Sequence, residues 1–173
     1  MKTTLACLVA LLPGLALAQT PMATTNPFVD TILEKALDEC ITDVRGNDAQ
    51  APMPTLLVEP GALTWVDLDG EEEKNDIIVD FNHILCSLNY SMWHGSGGSI
   101  LHLVVNGERS IAISGGYWQI IRFYNERPLF LLGRHGSACD GYGAQPCVQA
   151  ISVYEDGFST VIFPEFDAMD ERP

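Results

Sequence analysis

Positive charge is scarce in this chain. Nine Lys and Arg residues stand against 23 Asp and Glu, a formal net charge of −14 over 173 residues. A surface of that sign repels nucleic acid and anionic lipid, both of which are polyanions. Long apolar runs are also lacking. The run Leu5 to Leu12 is too short to cross a bilayer, and no later segment reaches the roughly 18 apolar residues that a spanning helix needs. Cysteine is sparse and nowhere spaced as C-x-x-C. The histidines show no ligand spacing with the cysteines, so the common structural zinc sites are excluded. No G-x-S-x-G nucleophile elbow occurs. Strand-like and helix-like segments do not alternate as a parallel α/β sheet requires. No catalytic signature is left once these are removed.

What is present begins with a leader. Lys2, the apolar run, Pro13-Gly14 and then Ala16-Leu17-Ala18 ahead of Gln19 have the form of a secretory signal. We expect residues 1–18 to be a signal peptide and 19–25 a loose linker. Residues 26–163 should form one domain, and 164–173 an acidic tail. Thr4-Leu5-Ala6-Cys7 is not a lipidation site, because Cys7 precedes the apolar region it would have to follow. Cys40, Cys86, Cys139 and Cys147 then stay with the exported chain. An even number in such a chain predicts two disulfides, with three possible connectivities. Seven residues including Gly141, Gly143 and Pro146 separate Cys139 from Cys147, so that segment can fold back on itself. Cys40 ends an apolar helix face and Cys86 ends a strand. The expected pairs are therefore Cys139–Cys147 and Cys40–Cys86, in a secreted or periplasmic protein.

The punctuation predicts one helix followed by strands. Asn26 suits an N-cap and Pro27 the first helical position. Phe28, Ile32, Leu33, Ala36, Leu37 and Cys40 share one face, and Gly46 is placed to end the helix. Strands are expected at 56–59, 63–68, 76–81, 99–105, 109–114, 117–124, 129–133, 147–154 and 158–163. The turns are Asn106-Gly107 and Glu155-Asp156-Gly157. The fold class this implies is mainly β: an antiparallel meander sheet or sandwich with the N-terminal helix packed on it.

The densest chemistry lies in Asp67-Leu-Asp-Gly-Glu-Glu-Glu-Lys-Asn-Asp76, followed by the strand Ile77-Ile-Val-Asp-Phe81. Calcium loops need several oxygens on a short, sharply turning backbone with alternate residues pointing inward. Asp67, Asp69 and Glu71 alternate, Gly70 permits the turn, and Asp76 can close the shell. This stretch resembles the D-x-[DN]-G-[DN]-G-x-x-D loop of FG-GAP and VCBS-type β-repeats. It departs from that loop where Glu72 replaces the second glycine and Asn75 the closing Asp. With the late His135-Gly-Ser-Ala-Cys139 and the closing Cys147, the layout from Asp67 to Tyr154 is similar to a group of uncharacterised secreted bacterial β-rich proteins. That resemblance implies fold and compartment and no activity.

Other segments offer less. Arg134-His135-Gly136 is similar to the phosphohistidine motif of histidine phosphatases, but that motif opens a helix in an α/β fold. We expect His135 to cap a strand end beside a disulfide. His94-Gly-Ser-Gly-Gly-Ser99 reads as a flexible loop. Trp65, Trp93, Trp118, Tyr117 and Tyr124 serve either as core or as a binding face. His83 and His102 are expected as structural histidines in strands. The functional reading is a secreted or periplasmic, non-catalytic binding or structural module. Its metal candidates are Asp67, Asp69, Glu71 and Asp76 with calcium as the cofactor, and its partner is a protein, a glycan or a cation. The alternative is a secreted hydrolase using carboxylates and His135. An enzyme should bring at least two of His94, His135, Asp67, Asp69 and Asp140 together in one pocket. A binding module should scatter them.

Overall fold

A computed structural model describes residues 24, 26–124, 127–143, 145 and 147–162. The expected signal peptide, most of the linker that follows it and the acidic tail lie outside the described residues.

The helix α1 spans Pro27–Asn47. The Asn26 carboxamide oxygen accepts from the backbone N–H of Phe28 and of Val29, satisfying two of the donors that a helix start leaves open. Val29, Leu33, Ala36, Cys40 and Val44 form its buried stripe. The helix passes through Gly46 and closes where the Asp48 N–H reaches Val44 O.

Ten strands follow, all paired antiparallel. They are β1 (Leu56–Val58), β2 (Leu63–Val66), β3 (Asp76–Asp80), β4 (Ile84–Cys86), β5 (Ser99–Val105), β6 (Arg109–Gly115), β7 (Trp118–Ile121), β8 (Leu129–Gly133), β9 (Val148–Tyr154) and β10 (Gly157–Ile162). One sheet runs β2-β3-β5-β6 and a second runs β10-β9-β8-β7, while β1 and β4 form a short ribbon. The sandwich expected from the strand spacing is present, with one strand more than the sequence suggested. That strand, β4, is three residues long and pairs only with β1, so it carries too little alternation to be read. His83 is not in a strand: the chain bends at Phe81–His83 into a short 3-10 turn, capped by the Asp80 carboxylate accepting from Asn82 N–H.

The core has two layers. Between the sheets lie Val66, Leu68, Ile78, Leu101, Leu103, Val105, Phe130, Leu132, Ile151 and Val153. Under the helix lie Val29, Leu33, Ala36, Ile77, Val79, Phe81, Ile84 and Val104. Strand β3 serves both layers, which is why all five of its residues are buried. Ile77 and Val79 face the helix and Ile78 faces the second sheet. By the same alternation Asp76 and Asp80 point into the sandwich at opposite ends of β3, about 13 Å apart at a strand's rise per residue.

The two expected disulfides are present, Cys40–Cys86 and Cys139–Cys147. The first joins α1 to β4 and is fully buried; the second closes a surface loop after β8. The chain leaves the first sheet at Gly115 and enters the second at Trp118. The return before β5 passes so close that a Cβ on Gly98 would lie 2.1 Å from Gly115 O. Gly98 also has φ +89, so only glycine fits there. Among the described residues, no helix is long and apolar enough to cross a membrane.

Candidate functional site

At one end of the sandwich the acidic stretch folds into a knot. Carboxylate oxygens of Asp67, Asp69 and Asp76 lie within 4.8 Å of one another, and all three residues are buried. Backbone donors organise them. Asp67 accepts from Gly70 N–H at 2.6 Å and Glu72 N–H at 2.9 Å. Asp69 accepts from Glu71 N–H at 3.2 Å and from the Asn106 carboxamide at 2.9 Å. Asp76 accepts from Leu68 N–H at 2.6 Å and Asn106 N–H at 2.9 Å, tying the end of β2 to the β5–β6 hairpin. Glu71, expected as a fourth ligand, is exposed and lends the knot its N–H.

A cation already serves the knot. Arg122 Nη2, just past β7, lies 2.7 Å from Asp67 Oδ2. Burial alone would raise the Asp67 pKa. The Arg122 hydrogen bond, the Gly70 and Glu72 N–H groups and the guanidinium charge outweigh burial and hold it below the ordinary 3.8. Asp76 goes the other way: burial raises it above 3.8, and Asp69 and Asp67 add to the rise against the two backbone hydrogen bonds. Glu72 has φ 65, the left-handed conformation that favours glycine.

At the opposite end the two sheets splay around a cleft of about 810 Å³. Asp80 lines it from the end of β3, and Asn82 and His83 from the turn that follows. Gly97 and Gly98 line it from the loop before β5, Gly116, Tyr117 and Trp118 from the crossover, and Arg134 and His135 from the end of β8. Asp80 is buried and spent: its oxygens accept from Asn82 N–H, the Asn82 carboxamide and, at 3.0 Å, Trp118 Nε1. Arg134 is held by Nε to Ser114 O at 3.1 Å and by Nη1 to Gln149 Oε1 at 2.6 Å. His135, expected to cap a strand end, is instead the N-cap of the short turn Gly136–Cys139, accepting from Ser137 N–H. Its ring packs between two glycines. A Cβ on Gly97 would come to 3.0 Å from His135 Cβ, and one on Gly143 to 2.9 Å from His135 Nε2.

Of the five residues that would mark an enzyme, Asp67 and Asp69 come together, but in a buried knot and not as the lining of the cleft. Asp67 and Asp69 meet in the knot at one end, His135 lies in the cleft at the other, and Asp140 is exposed just after it. His94 is held by Tyr90 O at 3.0 Å and Asn82 O at 3.4 Å. Among the described residues no carboxylate hydrogen-bonds either His94 or His135. Of the aromatic candidates, Trp93 meets Phe81 edge-on and Trp118 stacks on Phe130. Trp65, Tyr117 and Tyr124 are exposed.

Sequence reasoning missed Asp80, Asn82, Asn106 and Arg122, whose partners lie on other strands and leave no local pattern. It noticed Arg134 only for the wrong motif. A scan against protein-family models, a search of curated proteins and a search of solved structures each found no match.

Proposed function

We propose that this chain is a non-catalytic binding module of an extracytoplasmic compartment, taking its ligand in the cleft between the sheets. The observation that carries the reading is the cleft itself. Its volume lies in the range of small-ligand sites, and its walls combine glycine backbone, an exposed tyrosine and fixed polar side chains. His135 is used as a turn cap and Asp80 accepts three hydrogen bonds, and among the described residues no carboxylate hydrogen-bonds His83 or His135. Two disulfides support an oxidising compartment, outside the cytoplasm or in the periplasm.

The acidic turn enters this proposal as a structural knot related to calcium loops, with Arg122 as its resident cation. Calcium needs six to eight oxygens, and every oxygen of the three aspartates already accepts an N–H donor. Calcium is therefore a weak competitor of Arg122, in the millimolar range of extracellular calcium modules.

The test is an amide chemical-shift screen of the oxidised protein against small sugars, amino acids and nucleotides, run beside generic esterase, phosphatase and glycosidase substrates. We expect perturbations to cluster on Gly97, Gly116 and Gly133 and turnover to stay at background. Turnover abolished by His135→Ala would overturn the reading in favour of the hydrolase.

A further inference from the structure

We propose that the ligand of the cleft is a hexuronic acid, its carboxylate on Arg134 and its ring on Tyr117. The inference rests on the cleft being the binding site, and it follows from the balance of donors and acceptors there. The carboxylate of Asp80 is consumed by three donors. Arg134 is fixed by two hydrogen bonds, to Ser114 O and Gln149 Oε1, and among the described residues its Nη2 has no partner. His135 Nδ1 is engaged by Ser137, 2.8 Å from its Oγ and 3.3 Å from its backbone nitrogen, which leaves Nε2 on the Gly143 side of the cleft. The Gln145 amide nitrogen has no partner among the described residues either, while Gln145 Oε1 accepts from Tyr142 N–H.

Arg134 Nη2 and the Gln145 amide nitrogen are therefore open donors on the cleft wall, and a ligand that meets them must carry acceptors. A guanidinium held rigidly at Nε and Nη1 spends no further side-chain entropy when it meets a carboxylate through Nη2, and such charge-assisted bonds are the stronger kind. One guanidinium matches a monoanion. Among the described residues Arg134 is the one Lys or Arg that lines the cleft, which suits a monoanion better than a phosphate dianion.

The ring is argued from the other wall. Tyr117 is 94% exposed yet lines the cleft, a flat apolar face with nothing of its own chain upon it. Asn82, Gln145 and Ser96 ring the same space, offering planar amides and a hydroxyl to the paired hydroxyls of a sugar. A carboxylate on a hydroxylated six-membered ring meets all of these requirements together.

One position allows a clean block. A Cβ added at Gly116 meets nothing within 4 Å, so Gly116→Leu fills the cleft without a clash at its Cβ. Glucuronate, glucose, acetate and inorganic phosphate are titrated into the oxidised full chain and followed by amide shifts and calorimetry. We expect glucuronate to bind at least about tenfold more tightly than each of the other three. Arg134→Gln should remove that advantage and leave glucose unchanged, Arg134→Lys should keep only part of it, and Gly116→Leu should abolish binding. Melting temperatures of the variants near wild type confirm that loss is not unfolding.

Equal affinity for glucuronate and glucose, unaltered binding in a folded Arg134→Gln or Arg134→Lys, or tighter phosphate binding overturns the uronic acid. If Gly116→Leu still abolishes that binding, the cleft reading stands. Binding that survives Gly116→Leu overturns both. No binding of any of the four probes overturns the uronic acid, and the broader ligand screen then decides the cleft.

Discussion

Arg122 and Asp67 join the two sheets at their acidic end: Nη2 at the exit of β7 meets Oδ2 at the exit of β2 at 2.7 Å. The carboxylate side chain is 3% exposed and the guanidinium side chain 42%, so one charge depends on the pair far more than the other. Losing the arginine leaves three buried carboxylates with backbone donors and the Asn106 carboxamide, and no cation.

Arg122→Gln should lower stability by about 1–3 kcal/mol, discounted from a fully buried pair because the guanidinium is half-exposed. Millimolar calcium should restore more of the melting temperature in the variant than it adds to wild type, and magnesium less. Calorimetry against an ionic-strength control checks this. Equal calcium responses in the two proteins would show that Arg122 and calcium do not compete.

The same pair sets a pH dependence. Asp67 is held below its ordinary pKa, so its contribution is present above 3.8 and is lost as pH falls through the depressed value. Asp76 is raised, so its contribution is full below 3.8 and is lost as pH rises through the elevated value. The stability gap between wild type and Arg122→Gln should therefore shrink as pH falls from about 6 to about 3. Denaturant melts at several pH values measure the gap; a constant gap would contradict the assignment.

Glu72 holds a left-handed backbone without being glycine. Glu72→Gly should raise stability by about 1 kcal/mol by relieving that conformation. Glu72→Gln, which removes the charge and keeps the side chain, separates strain from electrostatics. An equal gain in both variants would assign the effect to charge.

His102 lies on the helix-facing side of β5, its ring 5.5 Å from Phe81. Burial depresses its pKa below 6.5, Lys35 adds to this, and Glu39 opposes it. Its contribution is present above 6.5 and declines as pH falls, because the unfolded chain takes up the proton first. Replacing it by Gln should flatten the stability slope below about pH 6.5, measured by urea melts. An unchanged slope would place the titration elsewhere.

The two disulfides should separate in effect. Replacing both Cys40 and Cys86 by Ala should cost about 2–4 kcal/mol, since this bridge closes the longer loop and ties the helix to the sheet. The corresponding change at Cys139 and Cys147 should cost less stability and weaken cleft binding more, because the loop carries Gly143 and Gln145 to the cleft. Urea melts and ligand titration on both variants decide the order.

Local features made much of the fold legible. Asn26 and Pro27 marked the helix start because capping uses neighbours along the chain. Strands β5 and β8 were read to the residue, since both are apolar runs bounded by turn residues, Asn106-Gly107 after β5 and Pro128 before β8. The Cys40–Cys86 pair followed from where each cysteine ends its element, and Cys139–Cys147 from the short glycine- and proline-containing segment between them. The acidic turn was legible as a cluster because Asp67, Asp69 and Asp76 lie within ten residues of sequence, on the β2–β3 turn and the first residue of β3.

What the tertiary structure alone decided is the partner of each group. Arg122 is 55 residues from Asp67, and Trp118 is 38 from Asp80. No periodicity links them, because register between sheets depends on how the crossover at Gly115–Gly116 seats one sheet on the other. The sequence by itself determined that acids would crowd one turn. Only the packed sandwich decided that an arginine would answer them, and that β3 would carry Asp76 into a knot at one end and Asp80 into a cleft at the other.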